Sequence, residues 1–332
     1  MKIFVTGGTG FIGKHLVRRL SQTEHEIVCL VRETSDIRAL QDANVGLVRG
    51  DVTDKDSLLK GMAGCDWVVN LANLFEFWVP NRKAYQEVNV EGTRNVMEAA
   101  IATGSLKIVH VSTAAVFGNA KWPVTEASEM GPKCFSEYAR TKREGDLVVW
   151  ELYQHKQLPV VMVYPGAVVG PDDPKAAGRY FRNLVLGMMP AQVLTGSVFP
   201  WVHVADVAEA ILLVLETEGN IGETYLLVAE NLTFGDINRI LSDISGRTLP
   251  RLALPDSLTI AGAFFFTWLA NLTKRPPVLD MSIDQMRLMR HGLRADGSKA
   301  NTDLGLSYRP IRSALEEVVQ QLVPSEPHSG GA

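Results

Sequence analysis

The chain has 332 residues, of which 46% are hydrophobic and 21% charged, and its formal net charge is −4. This balance describes a globular protein of one large domain or two ordinary ones, and the absence of any Lys/Arg block argues against nucleic acid as a partner. Cys29, Cys65 and Cys134 are too few and too far apart for a disulfide framework or a zinc site, so no metal is expected, and reduced thiols fit a cytoplasmic setting.

The first predicted strand, 2–6 (KIFVT), runs into TGGTGFIG at 6–13 and a helix over 11–22. The opening MKIFVTGGTGFIG is not expected to act as a signal peptide, because it enters a glycine motif without a long apolar region. The glycines read both as G-x-x-G-x-x-G (Gly7, Gly10, Gly13) and as G-x-G-x-x-G (Gly8, Gly10, Gly13). Strand, glycine turn and helix in that order meet the needs of a pyrophosphate: a tight turn, close backbone approach and a helix N-terminus aimed at the charge. Phe11 and Ile12 open that helix and join the expected cofactor contacts.

The second strand, 26–31 (EIVCLV), ends at Val31-Arg32, where the ribose of such a cofactor is read. Val31 cannot accept a hydrogen bond, whereas Arg32 can pair with a 2′-phosphate, with Ser35 and Arg38 near enough to help. Glu33 lies one or two positions late for the NAD pattern. NADP(H) is therefore the preferred cofactor and NAD(H) the alternative.

A third strand at 45–48 leads to RGDV, 49–52, where Asp51 stands at a strand's carboxyl end, placed to accept from an adenine amino group; Thr53 or Asp54 fits the next helix cap (54–62) better. The fourth strand, 66–71 (DWVVNL), is followed by NLFEFWVPNR at 73–82, a loop expected to overhang the active site. Phe75, Phe77 and Trp78 in it suggest an apolar or ring-shaped substrate. A helix over 82–103, a strand at 106–112, a helix over 135–156 and a strand at 159–164 complete the pattern. Short apolar strands alternating with helices mean α/β, a doubly wound parallel sheet of the Rossmann kind, assigned to 1–165.

Within the 135–156 helix, EYARTK sets Tyr138 and Lys142 four residues apart, on one helical face. A nearby ammonium favours phenolate, which would suit a proton donor working near neutral pH.

Beyond about 165 the rhythm loosens. Helices are expected near 206–217, 233–245 and 310–322, with a strand near 223–228 returning to the main sheet. Residues 166–323 read as a smaller, mostly helical substrate-binding part, and 324–332 (PSEPHSGGA) as a disordered tail. The apolar stretch 258–272 (LTIAGAFFFTWLANL) is short of the ~18–20 residues that span a bilayer. It is expected to be a core or substrate-lining helix, with a helix resting on a membrane surface as the alternative.

Taken together, TGGTGFIG (6–13), GDVTD (50–54), DWVVNLA (66–72), NVEGTRN (89–95), VSTAAVFG (111–118), YARTK (138–142), PGAVVGP (165–171) and WVHVADVA (201–208) resemble the extended short-chain dehydrogenase/reductase family over nearly the whole chain. The resemblance implies a nicotinamide dinucleotide and a catalytic Thr113, Tyr138 and Lys142. Thr113 is chosen over Ser112 because related epimerases carry the catalytic hydroxyl five residues before the glycine matching Gly118. In that scheme Tyr138 exchanges a proton with the reacting oxygen, Thr113 orients it, and Lys142 lowers the tyrosine pKa and holds the nicotinamide ribose. Val52, Leu71, Ala72, Ser112, Pro165 and Gly166 are implied cofactor contacts, and Asn89 a support of the cofactor side. Asn70 stands where many relatives have His, Tyr164 where many have Arg, and VFG replaces the commoner VYG.

The branch resembled is that of the dihydroflavonol 4-reductases, which implies an NADPH-dependent reductase of a fairly apolar ketone or aldehyde. The pattern at 74–96 also resembles hopanoid-associated sugar epimerases, which keeps a nucleotide-sugar epimerase or dehydratase as the alternative. A non-catalytic dinucleotide sensor is disfavoured by the retained Thr113, Tyr138 and Lys142. Family members often form homodimers through helices corresponding to 82–103 and 135–156.

Overall fold

A computed structural model describes residues 1–41 and 43–323; the expected disordered tail lies outside them. Seven parallel strands form the main sheet: β1 (Lys2–Thr6), β2 (Glu26–Val31), β3 (Val45–Arg49), β4 (Trp67–Asn70), β5 (Lys107–Val111), β6 (Val160–Pro165) and β9 (Thr224–Leu227), in the order β3-β2-β1-β4-β5-β6-β9. The winding reverses between β1 and β4, so the crevice beyond their carboxyl ends is the switch point where such sheets take ligands. Strands such as KIVHV and VVMVYP are wholly buried, as their apolar β-branched composition requires.

Helices cover both faces of the sheet. On one face Phe4, Leu58, Val68, Met97, Val149 and Met162 share a core, and on the other Ile3, Leu16, Val69, Val161, Ile211 and Tyr225 do. Each fully buried aliphatic side chain contributes about 1.5–3 kcal/mol. Asp54 caps the Lys55–Met62 helix through the Asp56 and Ser57 N–H groups. The expected helix over 82–103 is interrupted: Lys83–Gln86 and Gly92–Ala102 are α-helical, with a wider π turn at Glu87–Glu91 between them. Such turns break the regular ladder and tend to mark functional positions.

The C-terminal half divides its residues. The Val204–Glu216 helix packs against Phe11–Leu20, tied by Arg19 and Glu209 at 2.5 and 3.2 Å, and β9 pairs with β6, so both belong to the main layer. The remainder adds a small sheet that periodicity did not disclose, β10-β8-β7, from β7 (Ala167–Val169), β8 (Val198–His203) and β10 (Glu230–Thr233). Its strands are three to six residues long, and Pro200 interrupts β8, so they are too short for a period to register. Helices Ala176–Val185, Phe234–Ser245, Asp256–Thr273, Ile283–His291 and Ile311–Leu322 surround its core.

The helix Asp256–Thr273 corrects the core reading of 258–272. Thr259, Ala263, Thr267 and Ala270 are buried, but the opposite face stands in solvent. No helix among the described residues is long and apolar enough to cross a membrane.

Candidate active site

The glycine turn follows β1 at the switch point. Gly7 sits at φ +72°, where a Cβ would lie 2.8 Å from the Ala72 nitrogen, and a Cβ on Gly13 would lie 2.1 Å from the Gly7 oxygen. Only glycine fits both places. The Phe11–Leu20 helix begins at Gly10 with no side-chain cap, leaving its first N–H groups and positive dipole end free for an anion. The Thr6 hydroxyl accepts from the Ala72 N–H at 3.2 Å and donates to Asn70 Oδ1 at 2.6 Å, which holds Leu71 and Ala72 beside the turn. This cradle fits the pyrophosphate of a dinucleotide. Asp51 is beside it after β3, with Oδ1 accepting from the Thr53 N–H and hydroxyl, and Val52 is buried below.

Arg32 is exposed just past β2, and among the described residues its guanidinium has no hydrogen-bond partner. Ser35 serves the backbone instead, its hydroxyl accepting from the Arg32 N–H at 3.0 Å. Arg38 is turned to Asp36, which it holds bidentate at 2.9 and 2.6 Å, and that contact drives the Asp36 carboxyl far below its usual range. Arg49, which sequence reasoning passed over, donates to the Arg32 carbonyl at 3.0 Å and brings a second guanidinium to this edge. Its position at the end of β3, the neighbour of β2, was the available signal.

Ser136 caps the helix Glu137–Lys156 by accepting from the Ala139 N–H at 3.1 Å. One turn in, Tyr138 and Lys142 are both buried on the face toward β5. Thr113, at the end of β5, is near enough to influence the Tyr138 phenol. The electrostatics differ from the expectation for Lys142. Burial drives the Tyr138 pKa well above its ordinary value, Thr113 draws it back, and Asp146 adds to the rise. Burial also pushes the Lys142 ammonium down, with Asp146 opposing. Among the described residues Lys142 Nζ has one hydrogen-bond partner, the Val111 carbonyl at 3.0 Å. An ammonium carries three donors, so this one has capacity for ribose hydroxyls.

Beneath these groups lies a buried polar chain that sequence reasoning missed. The Asn70 amide donates to His110 Nδ1 at 3.0 Å, His110 Nε2 faces Asp146 Oδ1 at 3.3 Å with poor alignment, and Ser112 donates to Asp146 Oδ2 at 2.7 Å. Ser112 is therefore tied to the Glu137–Lys156 helix. The spacing Tyr138, Lys142, Asp146 repeats every four residues and was the signal for Asp146.

His110 has no exposed surface, and burial, then the Lys142 charge, depress its pKa. A depressed imidazole stabilises the fold fully above its unfolded pKa of about 6.5 and loses that contribution as pH falls. The melting temperature is expected to drop between pH 7 and 5, and less steeply in His110→Gln. Thermal scans across that range check this; equal slopes would show that His110 titrates as in the unfolded chain. His15 and His291 are depressed too and supply the residual slope.

Phe75 and Phe77 come over Tyr138 edge-on, with ring centroids 4.9 and 6.4 Å away. Trp78 turns aside, its indole donating to Asn271 Oδ1 at 2.9 Å. Asn89, in the π turn, accepts from the Leu74 N–H at 2.7 Å and donates to the Thr141 hydroxyl at 3.0 Å, joining this loop to the Glu137–Lys156 helix. Pro165 ends β6, and the Gly166 N–H donates to Leu227 at 3.0 Å. Lys133, Cys134, Phe135, Ile260, Arg287, Arg290 and His291 line a cavity of about 570 Å³, with no acidic group among the described residues of its wall.

The family described as "NAD dependent epimerase/dehydratase family" matches residues 3–227. The chain is 31% identical to "Sterol demethylase protein B" of Methylococcus capsulatus, over 96% of this chain and 97% of that protein. It is 32% identical to a "Putative dihydroflavonol 4-reductase" of Synechocystis sp., over 95% and 93%. The crystal structure of gox2253 superposes with a TM-score of 0.83 at 33% identity, covering 96% and 97%. The dTDP-glucose 4,6-dehydratase DesIV of Streptomyces venezuelae, with NAD and TYD bound, gives 0.77 at 26%, covering 97% and 96%.

Proposed function

The chain belongs to the NAD dependent epimerase/dehydratase family, and on that premise we propose that it is an NADPH-dependent reductase of a fairly apolar, ring-bearing ketone or aldehyde. The aromatic cover carries this reading: a substrate that reaches the phenol must take the place of Phe75 and Phe77 against it, which favours flat apolar rings. Relatives described as acting on a sterol and a dihydroflavonol agree with such a substrate.

The glycine turn, Arg32, Lys142, Pro165 and Gly166 would hold an NADPH, which would supply the hydride. Burial keeps the Tyr138 phenol protonated across the neutral range, the form a donor needs. Tyr138 gives that proton to the carbonyl oxygen as negative charge develops there. Thr113 hydrogen-bonds and orients the same oxygen. Lys142, anchored on the Val111 carbonyl, stabilises the phenolate left behind. Asp146, held by the buried Ser112 hydroxyl, offsets the charge of Lys142 from below.

A second reading, a nucleotide-sugar epimerase or dehydratase, is favoured by the cationic cavity of Lys133, Arg287 and Arg290, whose charges suit a diphosphate. The two readings separate on the cofactor. The reductase is expected to release its nicotinamide freely, to bind NADPH more tightly than NADH, and to oxidise NADPH with apolar cyclic ketones. Tightly retained NAD that does not exchange, with turnover of a nucleotide sugar, would replace the reductase reading with the second.

A further inference from the structure

The outer face of the Asp256–Thr273 helix is an unpartnered apolar face. Leu258, Phe264, Phe265, Trp268 and Leu272 are 61%, 63%, 54%, 56% and 67% exposed. With Ala261 they recur every three or four residues, so they form one stripe along the helix. Leu252 before it and Leu279 beyond it are exposed as well, at 56% and 53%. Scattered exposed apolar side chains need no explanation, but a continuous stripe of this size marks an interaction surface.

Charge indicates the occupant. Exposed Arg251 precedes the helix, and exposed Lys274 and Arg275 follow it. The neighbouring Ile283–His291 helix adds exposed Arg287 and Arg290 beside Ile260. Against these, Asp256 is the one exposed acid on the helix, and the nearby Asp280 is engaged by Arg179 at 2.5 Å. The chain as a whole is net acidic, so this concentration of positive charge around an apolar stripe is local. An apolar face with a basic surround is the pattern of a helix lying in a bilayer interface, where aromatic side chains enter the headgroup boundary and cations meet anionic lipid.

The helix is also mechanically joined to the cover of the active site. Asn271 accepts from the Trp78 indole, and the Thr267 hydroxyl accepts from the Ile283 N–H at 2.8 Å. Trp78 belongs to the loop that sets Phe75 and Phe77 on Tyr138.

We propose that the Asp256–Thr273 helix docks the protein onto an anionic phospholipid surface, so that an apolar substrate passes from the bilayer to the aromatic cover of Tyr138. The delivery step rests on the reductase reading; the docking does not.

The test is flotation of the full chain with phosphatidylcholine vesicles, with and without phosphatidylglycerol. The protein is expected to float with both and more strongly with the anionic ones. Lys274→Ala/Arg275→Ala should weaken anionic binding roughly 30-fold, since each basic residue near such a surface contributes about fivefold. Phe265→Glu/Trp268→Glu should abolish flotation in both cases with an unchanged melting temperature, because both side chains already stand in solvent. Failure of the wild-type chain to float would overturn the proposal. So would a dimer that the glutamate variant dissociates, because a second copy would then occupy the stripe. No flotation readout requires turnover, so intact docking without NADPH oxidation would count against the reductase reading alone.

Discussion

Tyr138→Phe is expected to lower kcat by about 10²–10⁴-fold, the usual contribution of a positioned proton donor, and to leave the NADPH dissociation constant within about twofold. The expectation follows from what the substitution removes. The ring stays in place under Phe75 and Phe77, so packing and melting temperature should hold. The phenolic hydroxyl is lost, and Thr113 keeps its contact with the Ala115 N–H at 3.3 Å. Lys142 remains anchored on Val111, so the cofactor side is untouched. Steady-state kinetics with a cyclic ketone, beside a fluorescence titration of NADPH, separates the two effects. Turnover within a fewfold of wild type would remove Tyr138 from the chemistry.

Arg32→Ala is expected to raise the NADPH dissociation constant by about 10–100-fold and to change that of NADH little, because a charged contact to a phosphate is worth about 1.5–3 kcal/mol. The Arg32 guanidinium is uncommitted among the described residues, whereas Arg38 is held by Asp36. Arg49 stands beside the Arg32 backbone and should retain part of the selectivity, with Glu33 3.9 Å from its guanidinium as a partial brake. Arg32→Ala/Arg49→Ala should therefore erase the preference that the single variant leaves. Parallel titrations of both cofactors decide it; equal losses for NADPH and NADH in Arg32→Ala would show that this arginine does not read the 2′-phosphate.

Much of this architecture was legible before any tertiary structure, because its determinants are local. A glycine turn must contain glycine where the backbone closes on itself, as Gly7 and Gly13 do, and the requirement is written at those positions. Buried parallel strands need short apolar runs, and a helix brings Tyr138 and Lys142 to one face by its own pitch. The features that sequence left hidden depend on register and packing between distant segments. Whether Arg38 serves a phosphate or Asp36, whether Trp78 joins Phe75 over the tyrosine or turns to Asn271, and whether His110 lies against Asp146 are settled by which strands and helices become neighbours. The same holds for the apolar stretch at 258–272. Its composition is compatible with a core helix and with an interfacial one, and only the packing of Thr259, Ala263, Thr267 and Ala270 inward left the phenylalanines and tryptophan facing water. Backbone conformation and hydrophobic period are properties of adjacent residues, so the sequence determined them by itself. Side-chain partnership, burial and the resulting pKa shifts arise from contacts between residues far apart in the chain, and only the tertiary structure decided those.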